Sequence, residues 1–309
     1  MAPTTAEQVS FGSGGTVVVG TLYRPADRAV TPGVVLAQGF SATMDWIVPD
    51  FAAAFADAGF AALTFDYRHL GVSGGEPRGL VDSGRQREDV RNALTYLRSR
   101  ADIDDRRVAL WGTSLGGAHV LAVAADDHRL AAVVANVPGI DLIRGMRGRY
   151  VPPHLRMSPA RIAVAGACLL GHAVVDAARG MARATPHYIP VYGRPGHAVF
   201  ADPELAGLFA DLEDGSPTWR NEVAPRFLFT APRLGPRVLS RISAPVLVTL
   251  ARDDEVISSA FVRRAIAHVP DHEIIEFGAR HFEMYHGQIR DRVIETHLQF
   301  LTRHLAPGD

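Results

Sequence analysis

The sequence has no lysine and almost no cysteine. Cys168 is the one cysteine in 309 residues, which excludes an intramolecular disulfide and a thiolate cluster for zinc. Its apolar neighbours point to a place in the core. Every basic residue other than histidine is arginine, and with the abundance of alanine and glycine this suggests a GC-rich bacterial genome. The formal net charge is −1, and the absence of a basic arm or arginine-rich stripe makes nucleic acid a poor partner. The first fifteen residues lack the basic-then-apolar pattern of a secretory signal. The longest apolar segment, residues 162–178, is broken by Gly166, Gly171, His172 and Asp176 and is short for a bilayer span. The expectation is a cytoplasmic chain that enters no membrane.

What is present is a large apolar complement: 47% of residues are hydrophobic and 21% charged, enough for a sizeable core and too little polarity for disorder. Residues 9–11 and 16–23 alternate around Gly12-Ser13-Gly14-Gly15 and read as an antiparallel hairpin closed by Pro25. Apolar runs at 33–37, 61–65, 108–111 and 131–137 read as strands buried on both faces. Helical patterns at 45–58, 82–100 and 115–125 separate them, so the spacing predicts a mainly parallel, doubly wound α/β sheet. The rhythm stops at Pro138 and resumes at Pro245, with a strand at 245–250, a helix at 258–268, a strand at 273–277 and a terminal helix at 288–304. Between lie many prolines, an apolar helix at 159–182, a Pro/Gly-rich connection at 187–197 and a short helix at 203–212. A connection of this length should carry its own structure. The expected organisation is a core in two parts, residues 1–138 and 244–309, with a helical cap inserted at 139–243.

One stretch organises the chain. At residues 108–118 an apolar run ends in Gly112-Thr113-Ser114-Leu115-Gly116, and a small-residue helix starts at once. A serine on a tight strand-to-helix turn has its Oγ pushed out above the sheet, and the turn closes only if the flanking positions are small. A serine hydroxyl needs a base to take its proton, and the base needs a third group to fix its tautomer. Asp254 and His281 follow in the required order, each just past a predicted strand, at the sheet edge where ligands bind in open α/β folds. Asp253 adjoins Asp254 and is the alternative acid; the apolar pair Val256-Ile257 favours Asp254. His286 is the rival to His281. The oxyanion donors are expected to be the backbone amides of Leu115, after the nucleophile, and Phe40, in the loop Gln38-Gly39-Phe40. His268 and His272 are four apart, but Pro270 between them argues against a helical metal pair. No metal site and no cofactor are expected.

These residues resemble the α/β-hydrolase superfamily along almost the whole chain outside the insertion. The chain is similar to capped bacterial and fungal members: the catalytic domain of X-Pro dipeptidyl-peptidases, and the thiohydrolases and acyl transferases that accompany polyketide synthases. The likeness rests on the opening at residues 9–25, Gln38-Gly39-Phe40, Asp66-Tyr67-Arg68, the segment from Gly71 to Arg78, the elbow, Asp254, and His281-Phe282-Glu283 with Tyr285 and Gly287. Two positions depart from it. Gln38 stands where many relatives carry histidine, and His69 where a glycine is common.

The expected chemistry is acyl transfer through an acyl-enzyme on Ser114, with an ester or thioester as substrate. A cap rich in Val, Leu, Phe and Tyr favours an apolar acyl or aromatic small molecule. The same composition suits an oligomer interface, so a homodimer is an open expectation. An acyltransferase or cyclase of polyketide-type biosynthesis and a C–C bond hydrolase would keep the same triad. A catalytically silent binding protein on a hydrolase scaffold would not react with a serine-directed probe.

Overall fold

A computed structural model describes residues 4–26 and 30–306. The chain opens with the expected hairpin, β1 (Thr4–Ser13) and β2 (Thr16–Pro25), paired antiparallel. β3 (Thr31–Ala37) follows, wholly buried, then α1 (Val48–Asp57), β4 (Ala61–Phe65), α2 (Ser83–Ser99) and β5 (Ile103–Thr113). Next come α3 (Leu115–Ala124) and β6 (Ala132–Asn136). The eight-stranded sheet runs in the order β1-β2-β4-β3-β5-β6 and ends with β7 (Val246–Ala251) and β8 (His272–Phe277). β2 meets β4 antiparallel, and every pairing from β4 through β3 to β8 is parallel. The sheet is therefore mainly parallel and doubly wound, with an antiparallel hairpin on one edge.

Between β6 and β7 the described residues hold short α4 (Leu142–Gly145), long α5 (Pro159–Met181), α6 (Leu205–Gly215) and short α7 (Pro236–Leu239). α8 (Ser259–Ile266) and α9 (Gly287–Leu305) complete the chain. Two apolar clusters cover the two faces of the sheet. One packs α2, α3 and α8, and the other packs α1 and α9 together with aromatics of the insertion.

Some elements depart from the sequence pattern for local reasons. α1 begins three residues later than the helical pattern, because the Asp45 carboxylate is engaged in the loop before it. It accepts from the hydroxyls of Thr43, Ser216 and Thr218 and so ties the insertion to the loop after β3. Pro49 then sits in the first turn, where its missing N–H costs nothing. Cys168 is exposed, not in the core; its apolar neighbours lie on a helix most of whose residues are open to solvent, so apolar context did not mean burial. α5 also runs longer than the apolar segment seen in sequence. By length and composition it is the one helix among the described residues that could cross a membrane.

Candidate active site

Backbone packing makes the elbow. Ser114 has φ 52° and ψ −117°, a conformation rarely adopted by a residue with a side chain. It is held by its amide donating to Asn136 O and by its carbonyl accepting from Gly139 N. A Cβ at Gly116 would lie 2.1 Å from Ala37 O, and one at Gly112 would lie 2.4 Å from Gly116 O. Backbone occupies both places, so only glycine closes the turn there.

The elbow delivers Ser114 Oγ to within 3.1 Å of His281 Nε2, and His281 Nδ1 lies 2.8 Å from Asp254 Oδ2. With Nδ1–H donating to the carboxylate, Nε2 is left to accept the serine proton. The other oxygen of Asp254 accepts from the amides of Val256 and Ile257. The acid thus also organises the turn that holds it, which explains why an apolar pair follows it. Asp253 is exposed and its carboxylate does not take that place. His286 sits at the start of α9 with its ring against Phe209. The structure brings together Ser114, Asp254 and His281, and leaves both rivals outside.

The segments that carry the two expected oxyanion donors stand beside them. Leu115 is the first residue of α3, so its amide is one of the unpaired N–H groups of a helix start. A Cβ on Gly39 would come 3.4 Å from Ser114 Cβ, so the loop carrying Phe40 lies against the serine. Gln38 points away and donates to Phe65 O, fixing that loop to β4. His69 contacts Arg85, outside the pocket lining. In Asp66-Tyr67-Arg68 the structure finds fold-holding groups. Asp66 accepts from the amides of Met44 and Val72, and burial lifts its pKa to about 6. Arg68 pairs with buried Asp89 and with Ser13.

Two features were not anticipated from sequence. Glu255, next to the acid, accepts the His281 backbone N–H at 3.0 Å. Burial pulls the His281 pKa down, but the Asp254 charge and hydrogen bond, with the Glu255 charge, outweigh it and leave the value raised. Glu255 itself is raised by burial. A base must be neutral to act, so kcat/KM should climb with pH through a midpoint above the ordinary histidine value of 6.5. Glu255→Gln should move that midpoint to lower pH. A pH–rate profile of both proteins checks this, and an unmoved midpoint would refute the role given to Glu255.

The second feature is a buried polar chain beneath the serine. Trp111 Nε1 donates to His297 Nδ1, whose Nε2–H then faces Thr249 Oγ1 at 3.0 Å. Thr249 donates to Asn136 Oδ1, Asn136 Nδ2 donates to Thr113 Oγ1, and that oxygen lies 2.7 Å from the Tyr285 hydroxyl. Asn136 also accepts the Ser114 amide, so the chain fixes the elbow from below.

The pocket above Ser114 is aromatic. Phe40, Trp46, Phe200, Phe209, Phe282 and Tyr285 line it, with Val191 and Tyr192 of the insertion. The free space is ≈ 30 Å³, about the room taken by one or two waters. No carboxylate and no arginine lines it. One group of described residues, His154, Asp202 and Glu204, has the spacing to hold a metal ion. Arg280 already supplies cationic charge there, at 2.8 Å from Asp202 and 3.4 Å from Glu204, and also reaches Glu255. The group is an ion-pair network linking the insertion to the loops that carry Asp254 and His281.

Residues 29–287 match the model of a hydrolase family described as serine aminopeptidase, S33. The quorum-quenching protein AidA of Acinetobacter baumannii is 37% identical over 304 residues, 97% of this chain and 96% of that one. The polyketide transferase ATR5 of Stachybotrys chlorohalonatus is 28% identical over 320 residues, 99% of each chain. Among solved structures, the α/β hydrolase GrgF from Penicillium sp. sh18 superposes with a TM-score of 0.78 at 26% identity, covering 98% of this chain and 99% of that one. The fold is the α/β-hydrolase fold.

Proposed function

The chain belongs to the serine aminopeptidase (S33) family of hydrolases, and on that footing we propose that it cleaves an ester or thioester through an acyl-enzyme on Ser114. The observation that carries the reading is the continuous Ser114–His281–Asp254 hydrogen-bonded line at the floor of an uncharged aromatic pocket. His281 Nε2 takes the Ser114 proton as Oγ attacks the acyl carbon. The oxyanion rests between the amides of Leu115 and Phe40. The imidazolium returns its proton to the leaving alkoxide or thiolate, and the acyl group stays on Oγ. Water, losing a proton to His281, then attacks the acyl carbon and releases the acid and free serine.

The pocket decides among substrates. A free α-amine, which an aminopeptidase must recognise, meets no carboxylate among the lining residues. Planar or apolar acyl groups meet aromatic faces on several sides. A polyketide-type acyl group, as the name of ATR5 suggests, fits that chemistry, and the name of AidA, a quorum-quenching protein, points to a small signalling molecule as another candidate. Relatives named as polyketide transferases favour a second reading, in which a bound alcohol or amine takes the acyl group in place of water and the protein is a transferase.

The test is intact-mass labelling with a fluorophosphonate, beside hydrolysis of p-nitrophenyl esters of graded chain length. One label per chain on the wild type, and none on Ser114→Ala or His281→Ala, is the expected result. A well-folded wild type that takes no label would overturn the proposal. Turnover only when an acceptor alcohol or amine is added would select the transferase reading.

A further inference from the structure

Helix α5 is inside out. Its inward side, at Ala165, Leu169, His172, Ala173 and Asp176, carries its polar groups. His172 bonds to His187 and His197, and buried Asp176 holds Arg226 through two side-chain bonds and also accepts the His187 and Arg226 amides. The opposite side, through Ala163, Ala167, Leu170, Gly171, Val174 and Met181, has no polar side chain at all. The large residues there and at the projecting end are open to solvent: Ile162 is 56% exposed, Val164 63%, Leu170 51%, Val174 54% and Met181 83%. Where a Cβ would stand on Gly166 or Gly171 there is nothing within 4 Å. A solvent-facing helix normally shows the reverse pattern, and one that is apolar outward is covered by something.

We propose that a second copy of this chain covers it, with α5 packed on its own twin across a two-fold axis. Three observations choose this occupant. First, the face is self-complementary: small residues at Ala163, Ala167 and Gly171 let a helix approach closely, and Leu170 and Val174 beside them fill the space a twin leaves. Second, the area suffices. A helix of 23 residues is about 35 Å long and about 10 Å across, so its open half-cylinder offers on the order of 600 Å². That is most of the ~800 Å² each partner contributes to a stable interface. Third, the charges permit it in one geometry. Arg161 and Arg179 lie toward the two ends of α5, with no charged residue between Ile162 and Val175. Side-by-side antiparallel packing would set Arg161 against the twin's Arg179. A shallow crossing of about 20°, centred near Gly171, swings the arginines apart at the rim and keeps most of the apolar length in contact.

Sedimentation equilibrium of the full chain tests this, with Gly171→Glu, Val174→Glu and Gly207→Glu. Gly207 is an exposed helical glycine on α6 with open space around it, and serves as the control. Gly171→Glu meets nothing in the single chain and favours the helix, so its effect is not one of unfolding. Wild type and Gly207→Glu should run at twice the 33.3 kDa of one chain. Gly171→Glu and Val174→Glu should weaken association on the order of 100-fold or more, by burying an unpaired carboxylate. A monomeric wild type at tens of micromolar overturns the proposal, as does a dimer indifferent to both α5 substitutions. So does a monomer that sediments with vesicles of mixed phosphatidylcholine and phosphatidylglycerol, which would make a lipid surface the occupant.

Discussion

His281→Ala should lower kcat/KM for a p-nitrophenyl ester by on the order of 10⁴- to 10⁶-fold, Ser114→Ala should do the same, and the double variant should lose no more than either alone. The non-additivity follows from the geometry. Once Nε2 is gone, no other side chain among the described residues hydrogen-bonds to Ser114 Oγ to take its proton, and a neutral hydroxyl is no better than the alanine that replaces it. Asp254 calls for a different substitution. Its Oδ1 holds the amides of Val256 and Ile257, so alanine there would unsettle the turn as well as the chemistry. Asparagine keeps an oxygen for those amides and presents NH₂ to His281, forcing the wrong tautomer, for an expected loss of about 10⁴-fold. Steady-state rates with melting curves alongside separate the two effects. A His281→Ala variant within tenfold of wild type would end the case for acyl transfer at this serine.

Acid should weaken the fold well before it protonates the surface carboxylates. His119, behind the elbow on α3, and His297, under the sheet on α9, are both buried, and burial lowers each pKa from 6.5 to about 3. A histidine depressed in this way contributes its full stability above its unfolded value, and loses it as pH falls from 6.5 toward 3. Between pH 7 and pH 5 each costs about 2 kcal/mol. Asp66 works the other way. Its folded pKa of about 6 lies above the usual 3.8, so it takes up a proton below pH 6 and returns about 1.4 kcal/mol by pH 5. His281, raised, shares that sign. His119, His297 and Asp66 together give a loss of roughly 2–3 kcal/mol from pH 7 to pH 5, which His281 and the raised carboxyls of Glu255 and Asp89 reduce. Denaturant titrations at the two pH values measure it. His119→Gln or His297→Gln alone should remove about 2 kcal/mol of the loss, most of the net dependence, and equal stability at both pH values would refute the assignment.

How much of this was legible in the sequence follows from where each signal sits. That Ser114, Asp254 and His281 meet could be read because each is tied to the end of a strand, and strands announce themselves as apolar runs. Gly112 and Gly116 could be read because backbone contact demands them. Glu255 could not. It stands beside the acid as an ordinary loop glutamate, and only the folded loop shows its oxygen on the His281 amide. The chain from Trp111 to Tyr285 joins residues up to 186 positions apart, and no local pattern encodes such a meeting. Cys168 and its helix misled for a related reason. Periodicity finds the apolar stripe of a helix but not which way the stripe turns, and here the polar stripe turned inward.

The close approach at the elbow has a consequence for how this chain can change over generations. The atoms that meet a Cβ at position 116 are the carbonyl oxygens of Ala37 and Gln38, which have no rotamer by which to yield. A replacement there therefore disturbs the sheet and the serine in one step, and no second substitution nearby restores the space. Inherited variation is shut out of the elbow whatever the substrate. It stays open to the aromatic side chains over the pocket, where a ring can be exchanged for a smaller one without moving the backbone, so descendants that differ in what they accept should differ at Phe200, Phe209 and their neighbours.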